Sequence, residues 1–351
     1  MERFINGIQQ VGIGVADADE AFVWYKKIFG IDIVVFKDAA TATLMKQYTG
    51  GIAEERYAIL AMNLQGGGGF EIWQYSNKIP KAAVWEIGLG DTGILAVKIR
   101  CKDAGATNTF YKNNSVNIIS SIAISPGGKK HFYIKDPWNN IFEIIEDDYW
   151  FTNDNKLTGA VCGVTIGVTA MEKAAEFYKN VLGFSKEIFN DVAVFKDWKG
   201  LHGCERKCKR IILTKPWKPT GAFGKLLGPV QIELIEAVNF TPQKIYDNRH
   251  WGDLGFIHVC FDINGMDTHE KICFEKKYPL TVNSCNGFDM GEASGHFAYN
   301  EDPDGTLIEY VETHKVPVAK KMGLYLNLKK RDPANCLPNW VVKCLRFSRV
   351  K

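Results

Sequence analysis

The sequence has few of the features that mark membrane, secreted or nucleic-acid-binding proteins. No apolar run approaches the roughly 18 residues needed to span a bilayer, and residues 1–6 have neither the cationic start nor the apolar core of a signal peptide. The 43 basic and 40 acidic side chains leave a formal charge of only +3, which does not suit a nucleic-acid-binding surface. We therefore expect a cytoplasmic monomer or homodimer that binds a small-molecule substrate and neither nucleic acid nor a membrane.

The sequence also has no disulfide framework. Its nine cysteines are odd in number and scattered, so in a reducing compartment most should be buried thiols. His202, Cys204 and Cys208 could in principle hold zinc. The charged residues around them, from Glu205 to Arg210, are typical of a solvated turn, and no second ligand pair is evident. We therefore predict no zinc clip there.

What the sequence does have is an internal repeat of an alternating strand followed by a helical stretch. The four strands are Gly7–Val15, Gly93–Cys101, Val161–Val168 and Gly255–Ile263. The helical stretches that follow them are Asp19–Phe29, Ala104–Tyr111, Glu172–Leu182 and Asp267–Phe274. Each pair opens one module. The first and third helices are most alike, and Gly30 and Gly183 stand where a helix C-cap belongs.

Each module closes on an apolar strand that carries a glutamate. The closing strands are Phe70–Tyr75, Ile141–Ile145, Val230–Ile235 and Leu307–Val311. The second and fourth modules share an Asp-Pro turn before this strand. Between a fixed position on the opening strand and the closing glutamate lie 61, 47, 70 and 51 residues, an alternation that indicates one duplication of a two-module ancestor.

These features resemble the vicinal oxygen chelate superfamily, which includes glyoxalase I, methylmalonyl-CoA epimerase, extradiol dioxygenases, fosfomycin-resistance proteins and bleomycin-binding proteins. The opening Gln10-Val-Gly-Ile-Gly-Val-Ala-Asp17 and the ending Asp302-Pro-Asp-Gly-Thr-Leu-Ile-Glu309 carry the resemblance, which covers roughly residues 5 to 313. It implies an α+β fold in which four βαβββ modules pair into two cupped, mixed, eight-stranded sheets with helices outside.

The repeat divides the chain into two halves and a C-terminal extension. Residues 1–150 hold modules one and two (5–76 and 91–147), residues 151–314 hold modules three and four (159–237 and 253–313), and residues 315–351 fall outside the resemblance. Apolar residues in the last segment, such as Leu324, Trp340 and Leu345, predict an ordered extension that packs on a sheet or on a partner chain.

The resemblance also implies where metal ligands stand, namely on an inward position of each opening strand and on each closing glutamate. Because side chains alternate along a strand, Gln10, Gly12 and Gly14 face the cup, and the two glycines leave room for something there. The candidate pairs in chain order are Gln10 and Glu71, Ala96 and Glu143, Gly163 and Glu233, and His258 and Glu309. Alanine and glycine cannot ligate through a side chain.

Two pairings of the modules are open. If neighbours pair, two incomplete sites result, and Glu233, His258 and Glu309 form the fallback site. If the outer modules pair, one cup collects Gln10, Glu71, His258 and Glu309, which is the ligand set of the glyoxalase I type. We favour the second pairing, because recovery of four ligands in the right module order is unexpected by chance. Each residue also has a structural alternative, such as an ion pair or a core histidine.

An oxygen-rich site with one imidazole suits a divalent ion such as Zn, Ni, Mn, Co or Fe(II) without selecting among them. The resemblance to glyoxalase I implies a lyase or isomerase that moves a proton next to a metal-chelated carbonyl. In that interpretation Glu309 is the base and Glu71 the second proton carrier.

Two other functions remain open. An extradiol ring-cleaving dioxygenase is suggested by the match of Tyr299 to Glu309 with the tail of that family's signature and by nearby His296, although Gly163 stands where its first histidine belongs. A metal-free binding protein of the bleomycin-resistance type is suggested by Trp73 and Tyr75, which point the same way as Glu71. Trp73, His296 and Tyr299 are the predicted substrate-binding residues.

Overall fold

The computed structural model describes residues 2–285, 288–289, 294–319 and 324–350, in which four modules follow one another. Module one comprises β1 (Phe4–Gly14), α1 (Ala18–Phe29), β2 (Ile33–Thr41), β3 (Glu55–Met62) and β4 (Gly69–Tyr75). Module two comprises β5 (Gly93–Cys101), α2 (Ala104–Asn113), β6 (Asn117–Ile118), β7 (Ala123–Ile124), β8 (Lys130–Lys135) and β9 (Ile141–Glu146).

The second half of the chain repeats this order. Module three comprises β10 (Thr158–Gly167), α3 (Met171–Asn180), β11 (Lys186–Ala193), β12 (Cys208–Thr214), α4 (Gly224–Leu227) and β13 (Gln231–Ala237). Module four comprises β14 (Gly255–Asn264), α5 (Met266–Glu275), β15 (Val282–Asn283), β16 (Phe288–Asp289), β17 (Ser294–Glu301) and β18 (Leu307–Ala319). The extension adds β19 (Leu324–Asn327) and α6 (Asn339–Lys343). The predicted opening strands, helices and closing strands are each present, with bounds that agree to within a few residues except at β18, which continues from the predicted end at Val311 to Ala319.

The outer modules share one sheet and the inner modules share the other. The outer sheet has the order β15-β17-β18-β14-β1-β4-β3-β2, with β16 on β17 and β19 on β18. The inner sheet has the order β11-β12-β13-β10-β5-β9-β8-β6, with β7 on β8. Each sheet therefore takes one module from each half of the chain. The predicted eight strands form the continuous path, and short extra strands bring the totals to ten and nine.

Two opening strands lie at the centre of each sheet and two closing strands flank them. In the outer sheet β1 and β14 are antiparallel, while β4 runs parallel to β1 and β18 runs parallel to β14. In the inner sheet β5 and β10 are antiparallel, flanked by the parallel β9 and β13. In each sheet, the inward-facing residues of the two opening strands and the two closing strands therefore lie together in the middle of the concave face. We call these concave faces the outer cup and the inner cup.

The helices lie on the convex side of both sheets, where one apolar core joins the whole molecule. Strand residues such as Val11 and Val259 of the outer sheet and Val97 and Val164 of the inner sheet belong to the same buried cluster as the apolar faces of the helices. Separate apolar clusters line the outer cup and the inner cup. The two cups therefore open away from a shared core, and the helices are outside each cup, as predicted.

One polar contact recurs in both halves of this core. The Tyr25 hydroxyl on α1 donates to Asp136 of the module-two Asp-Pro turn over 2.7 Å, and the Tyr178 hydroxyl on α3 donates to Asp302 of the module-four turn over 3.0 Å. All four residues are buried. Each contact links a helix of one sheet to a turn of the other, so the duplication is visible in side-chain chemistry as well as in topology.

The C-terminal extension packs against the outer sheet at its β2 edge. β19 pairs antiparallel with β18, and Val350 N donates to Asp32 O over 2.9 Å beside β2. Leu328, Leu337 and Val342 are buried against Ile33 and neighbouring apolar residues. Of the two predicted alternatives, a sheet or a partner chain, the described part of the extension packs on a sheet of its own chain. Within the described residues no helix is long and apolar enough to cross a membrane.

Candidate metal centre

Two rows of inward residues build the centre of the outer cup. In one row Gly12 of β1 lies between His258 of β14 and Glu71 of β4. In the next row Cys260 of β14 lies between Gln10 of β1 and Glu309 of β18. Neighbouring strands in a sheet lie about 4.8 Å apart, so long side chains from the outer positions of a row can reach across its middle residue.

The glycine in the first row makes room for the imidazole. A Cβ on Gly12 would lie 2.4 Å from His258 Cε1 and 2.7 Å from its Nδ1, which no real side chain tolerates. Gly14 meets the chain itself, since its Cβ would lie 2.0 Å from Asp253 O. The room left by these two glycines is therefore filled by His258 and by the linker before β14, and not directly by a ligand.

Four predicted ligands converge over these rows. His258 Nε2 lies 3.0 Å from Glu309 Oε2 and 3.6 Å from Glu71 Oε2, and Gln10 Nε2 lies 3.4 Å from Glu309 Oε2. One ligand atom from each of Glu71, His258 and Glu309 fits within 4.8 Å of the others. Two ligands that each lie 2.0–2.6 Å from one ion can be at most about 5 Å apart, so this spacing suits a shared metal.

The cluster has lone pairs that the protein leaves unused. Gln10 Oε1 is buried without a hydrogen-bond partner, and neither ring nitrogen of His258 makes a hydrogen bond of good geometry despite the close approach to Glu309. Buried polar atoms in folded proteins are nearly always paired, since an unpaired one costs about 1–3 kcal/mol. A divalent cation would satisfy the amide oxygen and one imidazole nitrogen together, so the residues present fit a metal.

Burial and mutual charge separate the two glutamates. Burial raises the pKa of Glu71, and the charge of Glu309 raises it further. Burial also acts to raise the pKa of Glu309, but the imidazole of His258 and the Tyr299 hydroxyl outweigh it and hold this pKa below its usual value. For His258, burial acts to lower the pKa, yet Glu309 and Glu71 raise it overall. In the metal-free protein Glu309 is thus the more readily ionised carboxyl.

A cavity of about 330 Å³ opens from this cluster, and its walls include Gln10, Glu71 and Glu309. Tyr299 lines it, with its ring 5.5 Å from the His258 ring, as expected for a substrate-binding residue. Trp73 is fully buried and packs edge-on against Trp251, which is the residue that reaches the cavity. Trp73 therefore supports the cavity wall from behind.

The structure does not bring His296 into the cavity. On β17 it alternates with Phe297 and Tyr299, which line the outer cup, so its side chain lies on the other face of the strand. There its Nε2 lies 2.6 Å from Asn283 Oδ1. The cluster in the outer cup thus contains a single imidazole among the described residues.

The sequence interpretation missed several residues of this cavity. Arg56 on β3 is buried and lines it, as do Gln9, Leu345 and Ser348. Arg56 lies on the same face of β3 as Ala58, Leu60 and Met62. A single cation on an otherwise apolar strand face could have indicated a cavity residue once it was known that this face lines the outer cup. The sequence also repeats a Gly-Asp-x-Gly linker before β5 and β14, which the sequence interpretation did not use. In both sheets the Asp of this linker lies against a glycine of an opening strand, because a Cβ on Gly167 would strike Asp91 O and a Cβ on Gly14 would strike Asp253 O.

The inner cup carries different residues at the corresponding positions. Ala96 stands where the outer cup has His258, Thr165 replaces Gly12, and Gly163 replaces Gln10. Lys98, which corresponds to Cys260, lies between Glu143 and Glu233 and forms buried ion pairs with both. Since Glu233 is in this sheet, the fallback site of Glu233, His258 and Glu309 does not form.

Arg210 corrects the expectation of a solvated turn from Glu205 to Arg210. It is fully buried on β12, where its Nε donates to Glu233 over 2.5 Å and its Nη1 to Asp197 over 2.7 Å. Because most residues of this segment are charged, its sequence shows no alternation of apolar and polar residues. In the structure, alternate residues of β12 nevertheless point into the inner cup. Cys204 and Cys208 are free thiols.

Comparison with known proteins identifies part of the chain and the fold of the whole. Residues 7–144 match the family described as Glyoxalase/Bleomycin resistance protein/Dioxygenase superfamily. The matched residues span modules one and two, which lie in different sheets here. Among curated proteins, none matches the sequence of this chain.

Solved structures agree with the fold. Glyoxalase I from Zea mays is 15% identical, with 89% of this chain and 92% of that chain covered and a TM-score of 0.52. A putative dioxygenase from Bacillus subtilis subsp. subtilis str. 168 is 13% identical, with 88% and 85% covered and a TM-score of 0.58. At these identities the similarity shows a shared fold and nothing finer.

Proposed function

We propose that this chain, which carries a domain of the glyoxalase/bleomycin resistance protein/dioxygenase superfamily, is a divalent-metal-dependent lyase or isomerase acting on a small molecule in the outer cup. Members of that superfamily are mostly enzymes and typically hold a divalent metal. The observation that carries the proposal is the convergence of Gln10, Glu71, His258 and Glu309 from the two ends of the chain, with unused lone pairs on Gln10 and His258.

When bound, a divalent metal would polarise a carbonyl of the substrate and stabilise negative charge that develops on its oxygen. The residues that would hold the metal are Gln10, Glu71, His258 and Glu309. One imidazole and several oxygen donors suit Zn, Ni, Mn, Co and Fe(II) alike.

The two glutamates suit a proton transfer. Glu309 is the more readily ionised, and we assign it as the base that takes the proton next to the carbonyl. Glu71, whose pKa is raised, lies on β4, whereas Glu309 lies on β18, and the two opening strands β1 and β14 run between them. Both glutamates approach the His258 imidazole, and we assign Glu71 as the second proton carrier. Environments that separate the pKa values of two carboxyls are a known arrangement for acid and base roles.

The fold around the cluster limits water. Glu71 and Glu309 are 8% and 6% exposed, and Tyr299, which hydrogen-bonds Glu309, is 2% exposed. Low exposure strengthens electrostatic interactions and prevents loss of the transferred proton to solvent. The extradiol alternative is not supported by this geometry, because its iron needs two histidines and the outer cup offers one among the described residues.

Metal content tests the proposal. The wild-type protein, purified without chelator and offered each candidate metal in turn, should hold one ion per chain by mass spectrometry, and His258→Ala should lose at least about a hundredfold in affinity, beyond the loss seen for supporting residues. The matched control is His131→Gln, which alters an equally buried imidazole beside a glutamate of the inner cup. It should retain the metal.

Proton transfer is tested separately. Metal-loaded wild type should exchange the hydrogen next to the carbonyl of α-hydroxyketone probes in D₂O, followed by NMR, whereas Glu309→Gln should keep an oxygen donor for the metal and lose the exchange. Absence of metal from the wild type would contradict the proposal and leave a metal-free binding protein. Bound metal that survives His258→Ala would contradict the ligand assignment.

A further inference from the structure

The cavity that opens from the outer cup has mainly apolar walls. Phe36, Leu60, Met62, Trp251, Phe297 and Val316 are among the residues that form them. At about 330 Å³ the cavity is at the lower end of the range for small-molecule sites, about 300–1,000 Å³, so most of a bound molecule would touch these walls. The walls favour a substrate whose body is apolar.

The charges in the cavity wall point the same way. Apart from Glu71 and Glu309, the charged side chains that line it are Arg56 and Asp38. The Arg56 guanidinium donates to Asp38 O over 3.2 Å and lies 3.5 Å from its carboxylate, so the two charges offset each other. Among the described residues, a substrate with several carboxylates or phosphates would find no surplus of positive charge in this wall.

Part of the wall comes from outside the four modules. Leu345 and Ser348 belong to a 3₁₀ turn at residues 344–348 that follows α6, and both line the cavity. The chain after this turn is tied to β2, because Arg349 pairs with Ile33 and its guanidinium lies 3.2 Å from Asp32. The extension therefore completes a wall of the outer cup, whereas β11 at the matching edge of the inner sheet stays mostly exposed among the described residues.

We infer that the substrate of the outer cup is a mainly apolar small molecule with two adjacent oxygens, whose apolar body lies against Leu345 and Ser348 of the C-terminal extension. The inference rests on the proposed function, since the metal would hold the two oxygens. It excludes a tripeptide thiol conjugate or a CoA thioester as the substrate, and it makes the extension a specificity determinant.

Hydroxamates of different length test this inference, because each presents the same two adjacent oxygens to a metal. On Mn²⁺-loaded protein, octanohydroxamate should bind at least about thirtyfold more tightly than acetohydroxamate, since each buried methylene adds to affinity. A hydroxamate attached to a glutathione tripeptide should bind no more tightly than acetohydroxamate. Dissociation constants from calorimetry give the ratios directly.

Two variants locate the apolar end of the substrate. Leu345→Asp should reduce octanohydroxamate affinity about tenfold and leave acetohydroxamate and Mn²⁺ affinity unchanged. Ser348→Phe should fill the same end of the cavity and have the same selective effect, which guards against a folding defect in the first variant. The matched control is Trp340→Asp, at an exposed position of the same extension, which should leave the affinity for both hydroxamates unchanged.

The outcomes separate the two proposals. Bound Mn²⁺ with equal affinity for both alkyl hydroxamates, or with tighter binding of the glutathione derivative, would overturn the inference and leave the metal site standing. A long-chain preference that survives both Leu345→Asp and Ser348→Phe would overturn the role of the extension. Failure to bind Mn²⁺ or any other divalent ion would overturn the proposed function and the inference together.

Discussion

The outer and inner cups have the same strand order but different chemistry at their centres. The outer cup gathers Gln10, Glu71, His258 and Glu309 around unused lone pairs. The inner cup keeps both closing-strand glutamates and surrounds them with protein cations, since Lys98 contacts Glu143 and Glu233 and Arg210 contacts Glu233. Two buried carboxylates need a compensating charge, and the inner cup carries that charge in its own sequence.

Glycines show how each cup accommodates its long side chain. In the outer cup Gly12 leaves space for the His258 ring. In the inner cup Gly163 leaves space for the neighbouring strand as well as for Lys98, because a Cβ there would lie 2.5 Å from Gln231 O and 2.9 Å from Lys98 Cδ. The inner cup has Thr165 where the outer cup has Gly12, and this is compatible with Ala96 in place of the histidine. The exchanges are therefore concerted across neighbouring strands.

Unpaired polar atoms also differ in kind between the cups. Those of the outer cup include the amide oxygen of Gln10 and the two ring nitrogens of His258, and the neutral ring offers one lone pair beside those of the amide oxygen. Those of the inner cup are Arg210 Nη2 and His131 Nε2, and a guanidinium nitrogen can only donate. Among the described residues, the outer cup is thus the one suited to a cation, and the inner cup is held by its ion pairs.

The largest effect is expected from removal of the inner-cup cation. Lys98→Met should lower the free energy of unfolding by about 3–5 kcal/mol, because it removes the cation that Glu143 and Glu233 share and leaves Arg210 to offset two buried carboxylates. Urea denaturation measures this difference. Addition of Glu143→Gln to the variant should recover part of the loss. A Lys98→Met protein within about 1 kcal/mol of wild type would mean that Arg210 alone balances the glutamates.

A smaller effect tests the space above Gly12. Gly12→Ala should destabilise the metal-free protein by about 2 kcal/mol, since the new methyl group overlaps the His258 ring, and should cost little in a His258→Ala background. Unfolding free energies of the four proteins give the coupling. Gly14→Ala is the control, because its methyl group would strike Asp253 O in both backgrounds and show no coupling to His258.

The sequence was sufficient for the parts of the fold that depend on local pattern. Alternation and helical spacing located the opening strands, the helices and the closing strands, since each of these elements buries one face in the shared core. The pairing of modules was open from pattern alone. It was favoured through the ligand set of Gln10 and His258, and the structure confirms it in the contact between β1 and β14.

Residues whose roles depend on contacts distant in sequence were not predictable. Lys98 is one of two cations, with Arg100, in an otherwise apolar strand, and its partner Glu233 lies 135 residues away on another module. Arg210 was predicted to be solvated because four charged residues closely precede it in sequence. Leu345 has no counterpart in the other modules, so the repeat gave no position for it. For these residues only the assembled sheets define the environment.

The metal affinity of the outer cup should depend on pH through the protonation of His258. In the metal-free protein the pKa of His258 is raised above its usual value of 6.5, so the ring carries a proton below that raised pKa and must release it to bind a metal. Metal affinity should therefore fall about tenfold per pH unit below the raised pKa and level off above it. Calorimetry between pH 5.5 and 8.5 in two buffers measures affinity and proton release, and a flat profile would exclude His258 as a ligand.

The smallest effect tests what the two cups share. Tyr25→Phe and Tyr178→Phe should each destabilise the protein by about 1 kcal/mol, because each removes one buried hydrogen bond to an Asp-Pro turn. Burial raises the pKa of both Asp136 and Asp302 to about 6, so the two sites should respond alike. Equal losses by urea denaturation would show that the duplicated scaffold has stayed symmetric while the cups diverged. A marked difference would place part of the divergence in the core that joins them.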